Sequence, residues 1–99
     1  MKKYYIATYE GGAQYEPAEG GYYVPVLELD TVSRDQYSEK HARRILAAMI
    51  DNYTEIYGEP VRRSRYRATF CTGHYIGDEM QIRITAAPKQ HEKLYHGYC

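Results

Sequence analysis

The feature that most constrains the fold is residues 38–57, which have the periodicity of one amphipathic helix. Apolar side chains recur there at three- and four-residue spacing and share one face: Ala42, Ile45, Leu46, Met49, Ile50, Tyr53, Ile56 and Tyr57. Ser38 can cap the first turn, and Gly58 followed by Pro60 ends the helix. A helix with a single apolar stripe is not stable alone. The rest of the chain must therefore supply a surface that covers this stripe.

Four segments rich in aromatic and β-branched residues are predicted to be the strands of that surface. They are residues 2–10, 22–30, 61–72 and 79–86. The sequence therefore predicts an α+β two-layer sandwich of order β-β-α-β-β, with one helix on a mainly antiparallel, four-stranded sheet. Residues 93–98 are a candidate fifth strand.

The length of 99 residues predicts a single α+β domain, 1–99, with one modest core. Residues 11–21 carry paired glycines at each end and a central proline, which predicts a flexible loop. The segment 88–99 is predicted to be a polar C-terminal tail. The chain shows neither an apolar run long enough to span a membrane nor a signal-peptide pattern, so a cytoplasmic location is expected.

Alternation along the strands assigns every second side chain to the helix and the others to an open face. If the helix covers Ile6, Leu27, Leu29, Phe70, Ile82 and Ile84, the open face combines tyrosine, valine and arginine: Tyr5, Tyr9, Tyr22, Val24, Val26, Arg63, Arg65, Arg67 and Arg83. We call these nine residues the Tyr/Arg face and predict that they bind a partner, because Tyr and Arg dominate interface energetics. Alternatively, the arginines pair with nearby carboxylates and their stems cover the apolar side chains.

Two kinds of partner fit such a face. One is a protein, including a second copy of this chain, and the other is single-stranded nucleic acid, whose bases stack on aromatic rings. The formal net charge is zero, which argues against a general polyanion binder. The sequence thus favours a small non-catalytic binding protein with a protein partner, of the accessory or inhibitor type found in phages and mobile elements. The nucleic-acid module is the alternative.

Each of the two cysteines has a histidine three residues away, which makes a weak candidate zinc site of Cys71, His74, His96 and Cys99. Free thiols are expected in the cytoplasm, so a disulfide between the two cysteines is disfavoured. A catalytic cysteine needs a positioned base, and only His41 or His74 could serve Cys71. The sequence therefore predicts no enzyme, no metal and no cofactor.

Overall fold

A computed structural model of the protein describes residues 2–75 and 77–94. Its elements are β1 (Tyr5–Glu16), a 3-10 turn (Pro17–Glu19), β2 (Tyr22–Val32), α1 (Glu39–Tyr57), β3 (Arg62–Arg63), β4 (Arg67–Cys71), β5 (Glu79–Thr85) and β6 (His91–Lys93). Within the described residues the strands form one open antiparallel sheet in the order β3-β4-β5-β1-β2-β6. The predicted α+β class is confirmed, whereas the sheet has six strands instead of four or five.

The helix α1 lies where its periodicity predicted it. The Ser38 side chain caps the first turn, since its Oγ accepts a hydrogen bond of 3.3 Å from the backbone N–H of His41. At the other end Gly58 adopts a positive φ of 85°, and its N–H donates to the carbonyl of Thr54 at 2.9 Å. Both ends were therefore readable from local sequence chemistry.

The main core lies between α1 and the central strands. The buried helix residues Ala42, Leu46 and Ile50 pack on Ile6, Ala68, Phe70, Met80, Ile82 and Ile84. These strand residues belong to β1, β4 and β5, and β2 contributes no described residue to this core. The helix therefore roofs only part of the sheet.

A second, smaller cluster lies on the other side of the sheet, and it corrects the predicted phase of β2. It contains Ala7, Tyr9 and Leu27, with Leu29 and Leu94 packed against them. Leu27 and Leu29 were expected beneath the helix. A register shift after Thr8 makes Tyr9 pair with Leu29 instead of Asp30, which becomes the extra residue of a bulge. Because paired residues share a face, the bulge moves both leucines to the side away from α1.

Residues 11–16 extend β1, so the predicted loop 11–21 is reduced to the short turn after Glu16. Gly11 at its start and Gly77 allow two segments of the chain to approach closely. A Cβ added at Gly11 would overlap the carbonyl oxygen of Gly77, and one at Gly77 would overlap that of Gly12. The pairing of β1 with β2 satisfies the backbone here, which glycine content alone did not predict.

The predicted strand 61–72 is two strands joined by a tight turn. The N–H of Ser64 donates to the carbonyl of Arg67 at 2.8 Å, which closes the turn between β3 and β4. Beyond Pro88, the predicted polar tail contributes β6, which pairs with β2 along its outer edge. Most of the candidate strand 93–98 lies outside the described residues.

Candidate binding site

The nine residues of the Tyr/Arg face do not form one continuous surface, contrary to the prediction. Pairing with β5 places four of them on the side of the sheet away from α1: Tyr5, Tyr9, Arg67 and Arg83. Strand alternation in β2 places three others on the opposite face of the strand from Leu27, which is the α1 side: Tyr22, Val24 and Val26. The bulge at Asp30 is the reason for this division.

The two remaining arginines also belong to the α1 side. Arg63 pairs with Ala68, a residue of the core beneath the helix. Arg65 forms an ion pair of 3.5 Å with Glu39 in the first turn of α1. The turn between β3 and β4 breaks the alternation that had placed all of these arginines on the same face.

On the side of the sheet away from α1, Tyr9 and Arg83 lie at the centre, beneath residues 89–92. Tyr9 is fully buried and Arg83 is only 7% exposed. The Arg83 Cζ lies 4.4 Å from the centroid of the Tyr9 ring, and the Tyr9 hydroxyl donates to the carbonyl of Lys89 at 2.9 Å. Arg83 Nη1 lies 2.9 Å from Glu92 Oε2. The sequence left two roles open for the arginines, partner binding or pairing with a nearby carboxylate. Arg83 is paired with a carboxylate.

A buried polar network fixes the Arg83 guanidinium. Its Nε donates to Gln81 Oε1, and Gln81 Nε2 donates to Thr69 Oγ1 at 3.0 Å. The Nη2 atom is buried and has no hydrogen-bond partner among the described residues. Burial acts to raise the pKa of Glu92. The hydrogen bond and charge of Arg83, together with the charges of Lys89 and Arg67, outweigh it and hold that pKa below its ordinary value.

Arg83 also lines a cleft of about 570 Å³ at the end of the sheet where β5 finishes. Four basic residues and one acidic residue contribute to its lining: Lys2, Arg67, Arg83, Lys89 and Glu92. Three tyrosines also line it: Tyr4, Tyr9 and Tyr66. We call this the basic cleft. Its volume falls in the range of sites for small organic ligands.

Two of these tyrosines are stacked on each other. The ring centroids of Tyr4 and Tyr66 lie 6.1 Å apart with an interplanar angle of 24°, and Lys2 Nζ lies 5.7 Å from the Tyr4 centroid. The Tyr66 hydroxyl donates to Glu39 Oε1. This hydrogen bond lowers the pKa of Glu39 and raises that of Tyr66, and it anchors the ring against the start of α1.

A surface of opposite charge lies on the α1 side of β1 and β2. The stretch 4–33 contains no Lys or Arg and five acidic residues: Glu10, Glu16, Glu19, Glu28 and Asp30. Glu10 and Glu28 are exposed and stand directly opposite each other in the β1–β2 ladder. Glu16 forms an ion pair of 2.7 Å with Lys93, whereas within residues 2–75 and 77–94 no ion pair joins Glu10, Glu28 or Asp30 to a basic side chain.

Two exposed tyrosines lie on the same side of the sheet as these carboxylates. Tyr22 is 69% exposed on the same side of β2 as Glu28, and Tyr57 is 40% exposed at the end of α1. A hollow of about 320 Å³ brings Tyr57 together with Glu10 and Asp30. We call Glu10, Tyr22, Glu28, Asp30 and Tyr57 the acidic surface.

The predicted chemistry of the cysteines finds no support in the described part of the chain. Cys71 is disulfide-bonded, which contradicts the expected free thiol and leaves its sulfur unavailable as a nucleophile or zinc ligand. No group of three or more His, Cys, Asp or Glu side chains within the described ranges is arranged to hold a metal ion. His96 and Cys99, the other half of the candidate zinc site, lie outside the described residues.

Sequence analysis missed most residues of both surfaces. The absence of basic residues between Lys3 and Arg34 was a readable signal for the acidic surface. The basic cleft offered no local signal, because it draws Lys2 from the N-terminal segment, Arg67 and Arg83 from neighbouring strands, and Lys89 from the segment before β6.

No protein-family model, curated protein or solved structure matches the chain. Among the described residues, α1 is the longest helix, and neither it nor any other is long and apolar enough to cross a membrane. The assignment of function therefore depends on the chemistry of the two surfaces.

Proposed function

We propose that the protein is a small, non-catalytic binding protein whose acidic surface docks on a basic surface of another protein. The observation that carries this proposal is the exposed, directly opposed pair Glu10 and Glu28, with the exposed ring of Tyr22 farther along the same side of β2. Like charges opposite each other in a ladder destabilise a sheet. A cationic partner would remove this repulsion on binding.

The neighbouring aromatic rings suit a protein contact. Tyr22 and Tyr57 offer large apolar area with a polar tip, the character of residues that dominate interface energetics. The carboxylates around them would steer a basic partner and set its orientation. Helix α1 leaves this side of β2 outside its core contacts, so the docking area is present without rearrangement.

The nucleic-acid alternative stays a prediction, and the acidic surface does not favour it. Phosphates would be repelled by Glu10, Glu28 and Asp30. The continuous array of tyrosine and arginine on which that alternative depended is divided between the two sides of the sheet.

Charge-reversal variants test the proposal. Tagged wild-type protein is compared with the double variant Glu10→Lys/Glu28→Lys and with the control Asp51→Lys/Glu55→Lys. The control makes the same change in net charge at exposed positions of α1. Partners captured from the native host are identified by mass spectrometry, purified and titrated against all three proteins by calorimetry.

We expect a captured protein to bind the wild type and the control alike, and to bind the Glu10/Glu28 variant at least about tenfold more weakly. The affinity should also fall as salt rises. A partner that binds all three proteins equally would contradict the proposal. If the partner is a second copy, light scattering will show a dimer that only the Glu10/Glu28 variant breaks.

A further inference from the structure

We propose that a groove beside α1 binds the sugar-phosphate backbone of duplex DNA without reading its base sequence. The groove runs between the first half of α1 and the turn that joins β3 to β4. Its charged lining consists of Glu39 and five cations: Lys40, Arg43, Arg44, Arg63 and Arg65. We call it the arginine groove. It shares no residue with the acidic surface, so this inference stands or falls separately from the proposed function.

Two adjoining hollows make up the arginine groove. One, of about 450 Å³, is lined mainly by α1, and the other, of about 160 Å³, lies between α1 and the turn. Arg43, Ala47 and Arg65 line both hollows, so the two are continuous. The short, exposed side chain of Ala47 leaves the space between the cations of α1 and those of the turn open. An extended ligand can therefore lie along the groove with cations on both sides of it.

Most of these cations are exposed and free of carboxylates. Arg65 pairs with Glu39 at 3.5 Å. Within the part of the chain that the structure describes, no ion pair holds the other four, all of which are exposed: Lys40, Arg43, Arg44 and Arg63. These four side chains can bind an anionic ligand without breaking an ion pair of the protein.

The density of charge along the groove matches that of a nucleic-acid strand. The lining residues of α1 run from Glu39 to Ile50, a length of about 16 Å at the rise of an α-helix. The charged side chains of the lining give a net charge of +4, or about one charge per 4 Å. One strand of duplex DNA carries one negative charge per about 3.4 Å. An acidic peptide would match this density only through an unbroken run of Asp or Glu, whereas DNA has it in every sequence.

The lining also indicates which form of nucleic acid fits. Among the described residues no aromatic side chain lines either hollow, so the unpaired bases of a single strand would find no ring on which to stack. Duplex RNA is recognised partly through its 2′-hydroxyls. The one carboxylate that could accept from them, Glu39, is already used by Arg65 and Tyr66. Guanidinium groups are suited to phosphates, so the groove favours duplex DNA.

The net charge of zero does not oppose this inference, because the charges are segregated along the chain. The stretch 4–33 has no Lys or Arg, whereas eight of the 13 basic residues fall within residues 34–67. A basic patch on one part of a domain is the electrostatic footprint of nucleic-acid binding. The acidic surface would repel the phosphates and so orient the DNA toward the arginine groove.

Fluorescence anisotropy with labelled duplex DNA of about two helical turns tests the binding. We expect micromolar affinity at about 50 mM salt, and a plot of log K against log salt with a slope between about −3 and −4. Duplex RNA, the single strand and a hexaglutamate peptide should all bind more weakly. Equal or tighter binding of any of these three would overturn the choice of duplex DNA. Absence of DNA binding at low salt would overturn the whole site.

Charge variants locate the binding. The variant Arg43→Gln/Arg63→Gln removes one cation from each side of the groove. The control Lys3→Gln/Lys89→Gln removes the same charge at exposed positions that do not line it. We expect the first to weaken DNA binding at least about tenfold at low salt and to flatten the slope by about 2, and the control to change the affinity less than about twofold. Equal losses in both would overturn the assignment to the groove.

A conservative variant separates charge from fold. Arg43→Lys/Arg63→Lys keeps both positive charges and should keep the salt slope of the wild type. Circular dichroism and thermal unfolding show whether each variant is folded. A folded lysine variant that loses as much affinity and slope as the glutamine variant would overturn the contact with the phosphate backbone.

Discussion

The guanidinium of Arg83 packs on the ring of Tyr9, with Cζ 4.4 Å from the ring centroid, and both side chains are buried. Strand β6 and the segment before it cover them, since the carbonyl of Lys89 accepts a hydrogen bond from the Tyr9 hydroxyl and Glu92 of β6 pairs with the guanidinium. Two residues whose types suggested a docking surface instead attach the C-terminal segment to the sheet. Substitutions of Tyr9 and Glu92 should therefore change the stability of the protein by predictable amounts.

Two substitutions of Tyr9 should measure separately what its hydroxyl and its ring contribute to stability. Tyr9→Phe loses the hydrogen bond to Lys89 and should lower the free energy of unfolding by about 1 kcal/mol. Tyr9→Leu also loses the stacked ring and its packing, and should lower it by about 3 kcal/mol. Urea denaturation measures both changes. Tyr75→Phe and Tyr75→Leu, at a position that is 79% exposed, are the controls and should change stability little. Similar losses at both positions would contradict the buried contact.

The ion pair between Arg83 and Glu92 should make stability depend on pH. Glu92→Gln should destabilise the protein by about 2 kcal/mol at pH 7, because Arg83 then keeps a buried charge without its counter-ion. The pKa of Glu92 is lower in the folded state than its ordinary value of 4.5, so the ionised carboxylate stabilises the fold. That contribution is present above the unfolded pKa and is lost as the pH falls through the folded pKa.

Denaturation of both proteins between pH 7 and pH 3 tests the sign of this effect. The difference in stability between the wild type and Glu92→Gln should shrink as the solution is acidified below about pH 4.5. A difference that stays constant over the whole range would show that the carboxylate charge does not act as described.

Two adjacent glycines in β1 should differ strongly in their response to the same substitution. Gly11→Ala introduces a Cβ that overlaps the carbonyl oxygens of Gly77 and Glu79, and should destabilise the protein by about 2 kcal/mol. Gly12→Ala meets no atom within 4 Å and should change stability by less than about 0.5 kcal/mol. Thermal unfolding of the pair gives the comparison. Equal effects would mean that β1 and the turn containing Gly77 are not packed as the structure shows.

The helix and the strands beneath it were predictable because their patterns are local. Ser38 and Gly58 mark the ends of α1 by their own chemistry, and alternation placed Ile82 and Ile84 correctly beneath it. The phase of β2 was not predictable, since one bulge residue, Asp30, reverses the faces of the residues on one side of it, including Leu27 and Leu29, relative to those on the other. No local pattern signals where such a residue falls.

The covering of Tyr9 could not be predicted either. The segment that covers it is polar, and Lys89 is 80 positions away from Tyr9 in the sequence. The Lys89 contact is made by a backbone carbonyl, which carries no sequence signal. The acidic surface was more accessible to sequence reasoning, because the stretch without basic residues is continuous along the chain.

Because the carboxylates of Glu10 and Glu28 repel each other, replacing one of them with lysine should raise the stability of the protein and weaken the binding of its partner. Glu28→Lys replaces a repulsive cross-strand pair with an attractive one and should stabilise the protein by about 0.5 kcal/mol at low salt. The same change should weaken docking of the proposed basic partner. Glu59→Lys, at an exposed position outside the acidic surface, is the control and should leave docking unaffected. A destabilised Glu28→Lys protein would contradict the repulsion.

Site-specific photo-crosslinking in the native host tests the central proposal most directly. A photoreactive amino acid is placed at position 22 or 57 in the acidic surface, and at position 75 as a control with comparable or greater exposure. We predict that positions 22 and 57 crosslink to the same basic protein and that position 75 does not. Crosslinks confined to position 75, or equal at all three positions, would contradict docking through the acidic surface.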